Sequence, residues 1–440
     1  MERIKQFRDP NLSLWQSAID EVVAKRRVGA QTQLAAGAKT ISNRPDMSNE
    51  IIDRVAALCD AVYGGQTIPD IPSPGPAMFG GMFSNVRYCS QIAFKLAQAV
   101  ANGNREDEER YREQLSKFGD CDPLYIEAVL RYQEYFIKGG KAIPYRRHEN
   151  LSDFVIDGRL LPDAKIALIA DFGTGQQTAR NILEQIARKD PDVVIHLGDI
   201  YYSGTEFEVE NYFYKPCQDI LELSETGPKP DIYTLSGNHD MYSGGEGYYK
   251  LIDWLGQPAS YFCLRNDNWQ FLAMDTGLHA YMPVGGKPTF LEDREVEWLN
   301  DKVMNSGGRK SILLSHHQLY SAYDEIGDGS HFNQRLYDQI SPILPRVSMW
   351  FWGHEHDLVI FKKYMGVLGR CIGCGAFPVG IEEIPSKPKF PDVPVEGVRL
   401  GKGPGLYNHG YVIIELDGPN ATVSYYQDSD ENTPLFKENI

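Results

Sequence analysis

The stretch of sequence that decides the fold runs from Val193 to Tyr202 and reads VVIHLGDIYY. Its apolar first half predicts a buried strand, and the pair Gly198-Asp199 predicts a loop that carries a carboxylate at the C-terminal end of that strand. A carboxylate is costly to bury unless it accepts hydrogen bonds or lies on a cation. Because Gly-Asp after a strand is also typical of an ordinary turn, the meaning of the stretch depends on the rest of the chain.

Four further predicted strands end in residues of the metal-binding type, in the motifs Asp171-Phe172-Gly173, Gly237-Asn238-His239-Asp240, His316-His317 and Gly353-His354-Glu355-His356. Carboxylate and imidazole groups suit iron, zinc and manganese, and one aspartate can bridge two ions. Residues two apart in an extended chain face the same side, so both imidazoles of the last motif can reach one centre. Two ions about 3.5–4 Å apart can hold the attacking and the leaving oxygen of a displacement at phosphorus. The sequence therefore predicts a metal centre built from Asp171, Asp199, Asn238, His316, His354 and His356.

The order of the predicted elements divides the chain in two. Residues 1–150 are predicted to be mostly helical and contain no metal-ligand spacing. From about Leu160 strands and helices alternate, with strands predicted at 165–170, 192–197, 231–235, 261–264, 270–274, 311–314 and 347–352, and helices at 176–188, 205–221, 248–255, 291–303 and 332–340. After His356 only strands are predicted, at 358–362, 367–372, 411–416 and 421–426. The segment 384–409, rich in Pro, Gly and Lys, is expected to be a functional flap or disordered.

Composition and charge exclude several classes of partner. The 440-residue chain carries 44 basic and 60 acidic residues, and its formal net charge of −16 argues against stable binding of nucleic acid or of an anionic membrane. A phosphorylated substrate would then need local positive charge, which a metal centre supplies. The sequence contains no run of about 18 apolar residues, so no membrane span is predicted. The polar start, residues 1–6, shows no secretory signal, so we expect a cytoplasmic protein.

The seven cysteines are odd in number and mostly scattered, so reduced thiols are expected. The spacing of Cys371 and Cys374 also fits a redox or zinc motif. A zinc site would need two further ligands, however, and a redox motif should open a helix, so structural thiols are favoured.

Taken in order, the motifs resemble those of the calcineurin-like metallophosphoesterases and, within them, the purple acid phosphatases. The pattern is Asp-X-Gly, Gly-Asp-X-X-Tyr, Gly-Asn-His-Asp, a strand ending in His, and Gly-His-X-His. It covers roughly residues 160–430, so the domains would be a helical region of unknown role at 1–150 and a metallophosphoesterase domain at 151–440. The resemblance implies an α/β (α+β) fold, a four-layer αββα sandwich. It also implies two metal ions, Fe(III) paired with Fe(II), Zn(II) or Mn(II).

The same resemblance implies a role for each ligand. Asp171 and His356 resemble ligands of the first metal, and Asp199 resembles the carboxylate that bridges both ions. The ligands of the second metal correspond to Asn238, His316 and His354.

Tyr202, three residues after Asp199, resembles the tyrosine ligand of the purple acid phosphatases, which favours a ferric ion. The wider superfamily has a histidine two residues after the first aspartate instead, and that position is Gly173 here. The alternative is that Tyr202 is a packing tyrosine beside Tyr201.

Two histidines are expected to contact the substrate. His239 resembles the family histidine that contacts the phosphoryl oxygen or protonates the leaving group, a role that suits the ordinary pKa of imidazole. Asp240 is expected to orient His239, and a metal-bound hydroxide would attack phosphorus in line. His317 directly follows a ligand and is predicted to contact the substrate as well.

One departure from the purple acid phosphatase pattern leaves the substrate open. Those enzymes carry another substrate histidine about nine residues beyond the strand-end histidine, where this chain has Tyr323-Asp324-Glu325-Ile326. A phosphodiesterase acting on cyclic nucleotides or lipid head groups is therefore the alternative to a phosphomonoesterase. A non-catalytic scaffold, with residues 1–150 as its interaction module, is disfavoured because every expected ligand is present. Those helices are expected to cover the metal site partly or to pair two subunits into a homo-oligomer.

Overall fold

The part of the chain that positions the motifs is built on two β-sheets. The computed structural model describes residues 143–221, 230–280, 288–326, 329–381, 383–403 and 405–440. The helices predicted for residues 1–142, and their expected role as a cover or a dimer face, lie outside the described residues. Within the described ranges, no helix has the length and apolar character needed to cross a bilayer.

The larger sheet has seven strands. In spatial order they are β1 (Val155–Asp157), β5 (Phe262–Arg265), β6 (Trp269–Ala273), β7 (Lys310–Leu314), β8 (Val347–Trp352), β10 (Gly369–Ile372) and β9 (Leu358–Ile360). The second sheet has six strands, in the order β13 (Phe436–Asn439), β12 (Asn420–Gln427), β11 (Gly410–Asp417), β2 (Lys165–Ile169), β3 (Val193–His196) and β4 (Asp231–Thr234).

The described helices lie between these strands in the sequence. They are α1 (Gln177–Arg188), α2 (Glu206–Glu208), α3 (Lys215–Leu221), α4 (Asn238–Met241), α5 (Glu246–Trp254), α6 (Asp293–Met304) and α7 (Gln334–Ile340). A π-helical segment, Val209–Tyr214, joins α2 to α3, and a 3₁₀ turn, Leu344–Arg346, leads into β8.

Alternation along the strands creates four layers. Ile166 and Leu168 of β2 are buried in a core that includes Phe271 and Phe351 of the larger sheet, so this core lies between the two sheets. Their neighbour Ala167 faces the other way, into a cluster that contains α1 residues. Strands covered on both faces read as continuous apolar runs, which is why β2 and β3 stand out in the sequence.

The larger sheet has its own helical cover. Trp298 and Leu299 of α6 and Leu336 of α7 are buried with Leu313 of β7 and Trp350 of β8. The layers are therefore helix, sheet, sheet and helix, which confirms the predicted α/β sandwich.

The strands that end in the motifs run parallel to one another within each sheet. β2 pairs with β3 and β3 with β4 in parallel, as do β7 and β8 in the other sheet. The carboxyl ends of parallel strands meet at one edge of a sheet, and polar side chains placed there converge. At this edge the two sheets are joined directly, since the amide of His354 donates to Asp171 Oδ2 over 2.9 Å.

The structure adds detail at two segments, residues 384–409 and the residues just before 151. The described part of residues 384–409 packs on the domain, where the amide of Phe390 donates to the carbonyl of Ala322 and that of Glu396 to the carbonyl of Ile360. Before residue 151 the chain already contacts the domain, since the Tyr145 hydroxyl donates to Glu295 Oε2 over 3.0 Å.

Candidate metal centre

Backbone geometry at the strand ends turns the motif side chains towards one another. Asp171, Asp199 and His354 have φ values of 54°, 73° and 67°, in the left-handed region that residues with a Cβ rarely adopt. Gly198 has φ 102°, and a Cβ added there would lie 2.8 Å from His316 Nδ1. Only glycine therefore lets the end of β3 approach the histidine that follows β7.

The two aspartates form the buried centre of the site. Asp171 is 0% exposed and Asp199 1%. Asp171 Oδ1 lies 3.3 Å from His356 Nε2, and Asp199 Oδ2 lies 3.3 Å from His316 Nε2. Asp171, Asp199 and His316 each offer a ligand atom, and these atoms all lie within 4.8 Å of one another. This is the separation expected when several side chains share one or two small cations.

Hydrogen bonds aim the remaining ligand atoms. His316 Nδ1 lies 2.9 Å from the carbonyl of Leu197, which can only accept, so Nδ1 carries the proton and Nε2 faces the aspartates. The Asn238 amide nitrogen donates to the Tyr242 hydroxyl over 2.7 Å, and its amide oxygen lies 3.1 Å from His316 Nε2. Asn238 thus offers an oxygen to the site, as a hard cation requires.

The His354 ring lies beside His316 and His317 and forms a second group of ligand atoms with them. Its centroid lies 5.2 Å from that of His316 and 4.4 Å from that of His317, and the three residues form a second group whose ligand atoms lie within 4.8 Å of one another. His316 belongs to both groups. The two groups therefore overlap, which is the layout of adjacent cation sites.

The charge states suit a cation. Burial opposes ionisation of Asp199, but His316 and His239 outweigh it and hold the pKa of Asp199 below its usual range. Burial also opposes a charge on His316, yet Asp199 and Asp171 raise the pKa of His316 to about 9. Burial and His316 lower the pKa of His354 to about 4, so this imidazole is neutral. Ionised carboxylates and neutral imidazoles are the forms that bind metals, and an incoming ion would displace the proton on His316.

Tyr201 reaches the site with its hydroxyl group. Its hydroxyl donates to Asp171 Oδ1 over 2.7 Å and lies 2.9 Å from His356 Nε2. Ile200, which precedes Tyr201, pairs with Gly173 in an isolated bridge and so ties this loop to the loop that follows Asp171. The sequence had predicted Tyr202, one residue later, as the tyrosine metal ligand, and this stays a prediction.

The backbone of Tyr202 serves other partners. Its amide donates to the Glu208 carboxylate, and its carbonyl lies 2.7 Å from His239 Nδ1. Since a carbonyl only accepts, His239 carries a proton on Nδ1, and its Nε2 lies 3.9 Å from Asp199 Oδ2. His239 thus lies beside Asp199, and the group that orients it is the Tyr202 carbonyl.

Asp240 has a different role from the predicted one. Its carboxylate accepts the backbone amides of Gly237, Asp199 and Ile200 over 2.7, 2.9 and 3.1 Å. It therefore ties the loop after β3 to the loop after β4 instead of orienting His239. The physical reason is that three backbone donors converge on it, while His239 Nδ1 is already bonded to a carbonyl.

His317 lies beside the cluster, held by a residue that the sequence did not single out. The amide and Nδ1 of His317 lie 3.0 and 3.1 Å from Thr276 Oγ1. Thr276 follows β6, and no motif pattern marks it. The buried ring of His317 lies 4.8 Å from His316, so it is placed near the predicted ligands.

The region that lacks the expected histidine is occupied by an arginine contact. The guanidinium of Arg399, from the segment 384–409, lies 4.3 Å above the Tyr323 ring and 3.1 Å from Asp357 Oδ2. Lys389 lies 4.0 Å from Asp324. Cations therefore offset part of the acidic character that the sequence shows here.

The ligand set fits a pair of transition-metal ions. It offers carboxylate oxygens, one amide oxygen, a phenol oxygen and imidazole nitrogens, the donors preferred by iron, zinc and manganese. All of these side chains are described residues that converge at one edge of the two sheets.

Comparisons with known proteins place these features in a family. The family model of the calcineurin-like phosphoesterases matches residues 164–358, which include every predicted metal ligand. A search of curated proteins finds no match.

Solved structures show weaker similarity. A dimetal phosphatase from Danio rerio has a TM-score of 0.43 at 13% identity, over 64% of this chain and 99% of that chain. GAP50, the anchor in the inner membrane complex of Plasmodium, has a TM-score of 0.44 at 12% identity, over 63% and 88%. YfcE, a phosphoesterase from E. coli, has a TM-score of 0.28 at 15% identity, over 62% and 98%.

These TM-scores lie below 0.5, so the family model and the observed site carry the assignment. The metal-ligand motifs, their strand-end positions and the matched range agree. Residues 164–358 match the calcineurin-like phosphoesterase family model and carry the metal-ligand motifs, so this part of the chain is a metal-dependent phosphoesterase domain.

Proposed function

We propose that the protein is a dinuclear-metal phosphohydrolase of the purple acid phosphatase type that cleaves phosphate esters by in-line displacement. The observation that supports this most directly is the convergence of two ionised, buried aspartates with His316 and His354 at the edge where the two sheets meet. Burying that much charge is costly without a cation, and the cluster has few other uses.

The proposed ligands divide between two ions. Asp171, His356 and the Tyr201 hydroxyl would hold the first ion, which we expect to be Fe(III). Asp199 would bridge both ions. Asn238, His316 and His354 would hold the second, as Fe(II), Zn(II) or Mn(II). Two such ions would supply positive charge to the phosphoryl group and make water a better nucleophile.

The protein's own residues would then orient the substrate. His239 would face the leaving-group oxygen with Nε2, which is the acceptor nitrogen because Nδ1 donates to the Tyr202 carbonyl, and it would have to take up a proton there before passing it to the leaving group. His317, anchored on Thr276, would contact a phosphoryl oxygen. Asp240 would hold the loops after β3 and β4 together, so that Asp199 and Asn238 both face the metal centre.

The test compares Asp199→Asn with a matched control, Asp267→Asn, an aspartate in the exposed β5–β6 turn. Both proteins and the wild type would be loaded with iron plus zinc or manganese and assayed on an aryl phosphate monoester. Asp199→Asn should lose more than the roughly 10–100-fold that is usual for residues outside the ligand set, while Asp267→Asn should keep wild-type turnover. Normal activity in Asp199→Asn would refute the proposal.

A phosphodiesterase is the second candidate, favoured by the segment that lacks the expected histidine. Tyr323 and Asp324 lie there, and Arg399 is already engaged with Asp357. A diester carries less negative charge than a monoester and would be repelled less by the carboxylates. The same metal-loaded protein would be tested on the corresponding aryl diester, and a strong diester preference would move the substrate search to cyclic nucleotides and lipid head groups.

We further expect a small phosphorylated substrate, a cytoplasmic location, and a homo-oligomer formed through residues 1–150. Sedimentation of the full chain and of a chain that begins at Ile143 would test the last point. If both are monomers with the same kinetics, the N-terminal region neither pairs subunits nor covers the site.

A further inference from the structure

The thiol of Cys371 lies beneath the loop that carries the last two predicted histidine ligands. Cys371 is 0% exposed and belongs to β10. Its Sγ lies 3.9, 3.3 and 3.4 Å from the backbone carbonyl oxygens of Gly353, Glu355 and Asp357. These carbonyls belong to alternate residues, and His354 and His356 lie between them.

The loop from Gly353 to Asp357 is tightly turned. The amide of Glu355 donates to the carbonyl of Gly353 over 2.8 Å, and the amide of Asp357 donates to the carbonyl of Glu355 over 2.6 Å. Two successive three-residue turns therefore bend the chain, and the positive φ of His354 adds to the bend. The carbonyl oxygens of Gly353, Glu355 and Asp357 all lie near Cys371 Sγ, so a donor at that position would stabilise the bent loop.

The pairing of β10 with β8 holds Cys371 next to the loop 353–357. Cys371 pairs with Trp352 in the parallel ladder of β10 and β8, so it lies beside the residue that precedes the loop. At Gly373, two residues on, a Cβ would lie only 2.0 Å from the carbonyl oxygen of Glu355. The strand and the loop are thus in close contact along residues 371–373.

The thiol is the donor in this arrangement. Carbonyl oxygens cannot donate, and burial together with Glu355 and Asp357 raises the pKa of Cys371, which keeps the thiol protonated. A single weak S–H donor therefore faces three acceptors and can satisfy one at a time.

We propose that Cys371 is a positioning residue, which fixes the curvature of the loop 353–357 and thereby the separation of the His354 and His356 imidazoles. The inference rests on the proposed function, because those imidazoles matter to catalysis only as metal ligands. It gives a specific role to a thiol that the sequence favoured as structural over the redox or zinc alternatives. Cys371 and Cys374 are both free in the structure, and the Cys374 thiol lies against Gly410 instead.

The experiment uses the full chain with two substitutions at Cys371 and a matched control. Cys371→Val keeps the apolar volume and removes the donor, whereas Cys371→Ser keeps a donor on a shorter bond. Cys263→Val is the control, since Cys263 is a fully buried free cysteine of the same sheet, on β5. Zinc would be titrated into each metal-free protein against a competing chelator, and thermal unfolding of the metal-free proteins would be recorded beside it.

We expect Cys371→Val to weaken zinc binding by about 10–100-fold, the range found for groups that orient metal ligands, and Cys371→Ser to restore part of the loss. Cys263→Val should bind zinc like the wild type. Equal zinc affinity in Cys371→Val and Cys263→Val, with only the unfolding temperature lowered, would overturn the proposal. Should Cys371→Val not fold, Cys371→Ala decides by the same comparison. A wild type that binds no zinc would refute the proposed function itself.

Discussion

Replacing Tyr201 with phenylalanine removes one hydroxyl from the centre of the site. The hydroxyl is buried, donates to Asp171 Oδ1 over 2.7 Å and lies 2.9 Å from His356 Nε2. A hydrogen bond to an ionised group contributes about 1.5–3 kcal/mol. The free energy of unfolding of the metal-free protein should fall by about that amount, measured by urea denaturation at neutral pH.

The same substitution tests the phenolate ligand. In protein loaded with ferric iron, a tyrosinate ligand should give a visible charge-transfer band, and Tyr201→Phe should abolish it. Tyr202→Phe is the matched control, because it removes an equally buried hydroxyl from the next residue. A band that survives Tyr201→Phe and disappears in Tyr202→Phe would refute the assignment. A colourless ferric wild type would exclude a phenolate ligand at either position.

Three more predictions follow from single contacts. Asp240→Asn replaces one of the oxygens that accept three backbone amides, so the free energy of unfolding should fall by about 1–3 kcal/mol in urea titrations; an unchanged value would contradict its bridging role. His317→Ala should raise KM for an aryl phosphate while the protein still takes up two ions, and loss of an ion would instead make His317 a ligand. Burial lowers the pKa of His409 to about 4, so its unfolding takes up a proton below pH 6.5, and roughly 2 kcal/mol of stability should be lost between pH 8 and pH 5. His409→Gln should show a smaller loss in denaturation curves at the two pH values, and an identical loss would mean that His409 does not contribute.

The sheets could be predicted from the sequence because their strands are buried on both faces. Runs such as that ending at Leu197 have no polar alternation and stop at Gly-Asp, so both the strand and the loop are visible in the sequence. The short strands β1 and β13 were missed for the opposite reason. They are partly exposed and carry no apolar run to mark them.

The site could be predicted as a set of residues but not as a set of contacts. Spacing indicates which residues follow strands, and that was enough for Asp171, Asp199, Asn238 and the histidines to be singled out together. Spacing does not determine whether Tyr201 or Tyr202 contacts Asp171, because the positive φ of Asp199 breaks the regular alternation of side chains in this loop. Asp240 was paired with its sequence neighbour His239, whereas backbone amides from another loop hold it. Contacts between a side chain and backbone groups cannot be read from the sequence, because every residue has the same backbone. The contacts of Cys371 with three backbone carbonyls were not predictable for the same reason.

The predicted ligands come from both sheets, and this has a consequence for the lifetime of the protein. Asp171 and Asp199 follow strands of one sheet, while His316 and His354 follow strands of the other. Ions bound between them would hold the two sheets together. By mass action, an ion at 100 times its Kd adds about 2.7 kcal/mol to the free energy of unfolding. Metal scarcity would then open the seam between the sheets to proteases, so a cell short of the ion would lose the polypeptide as well as its activity.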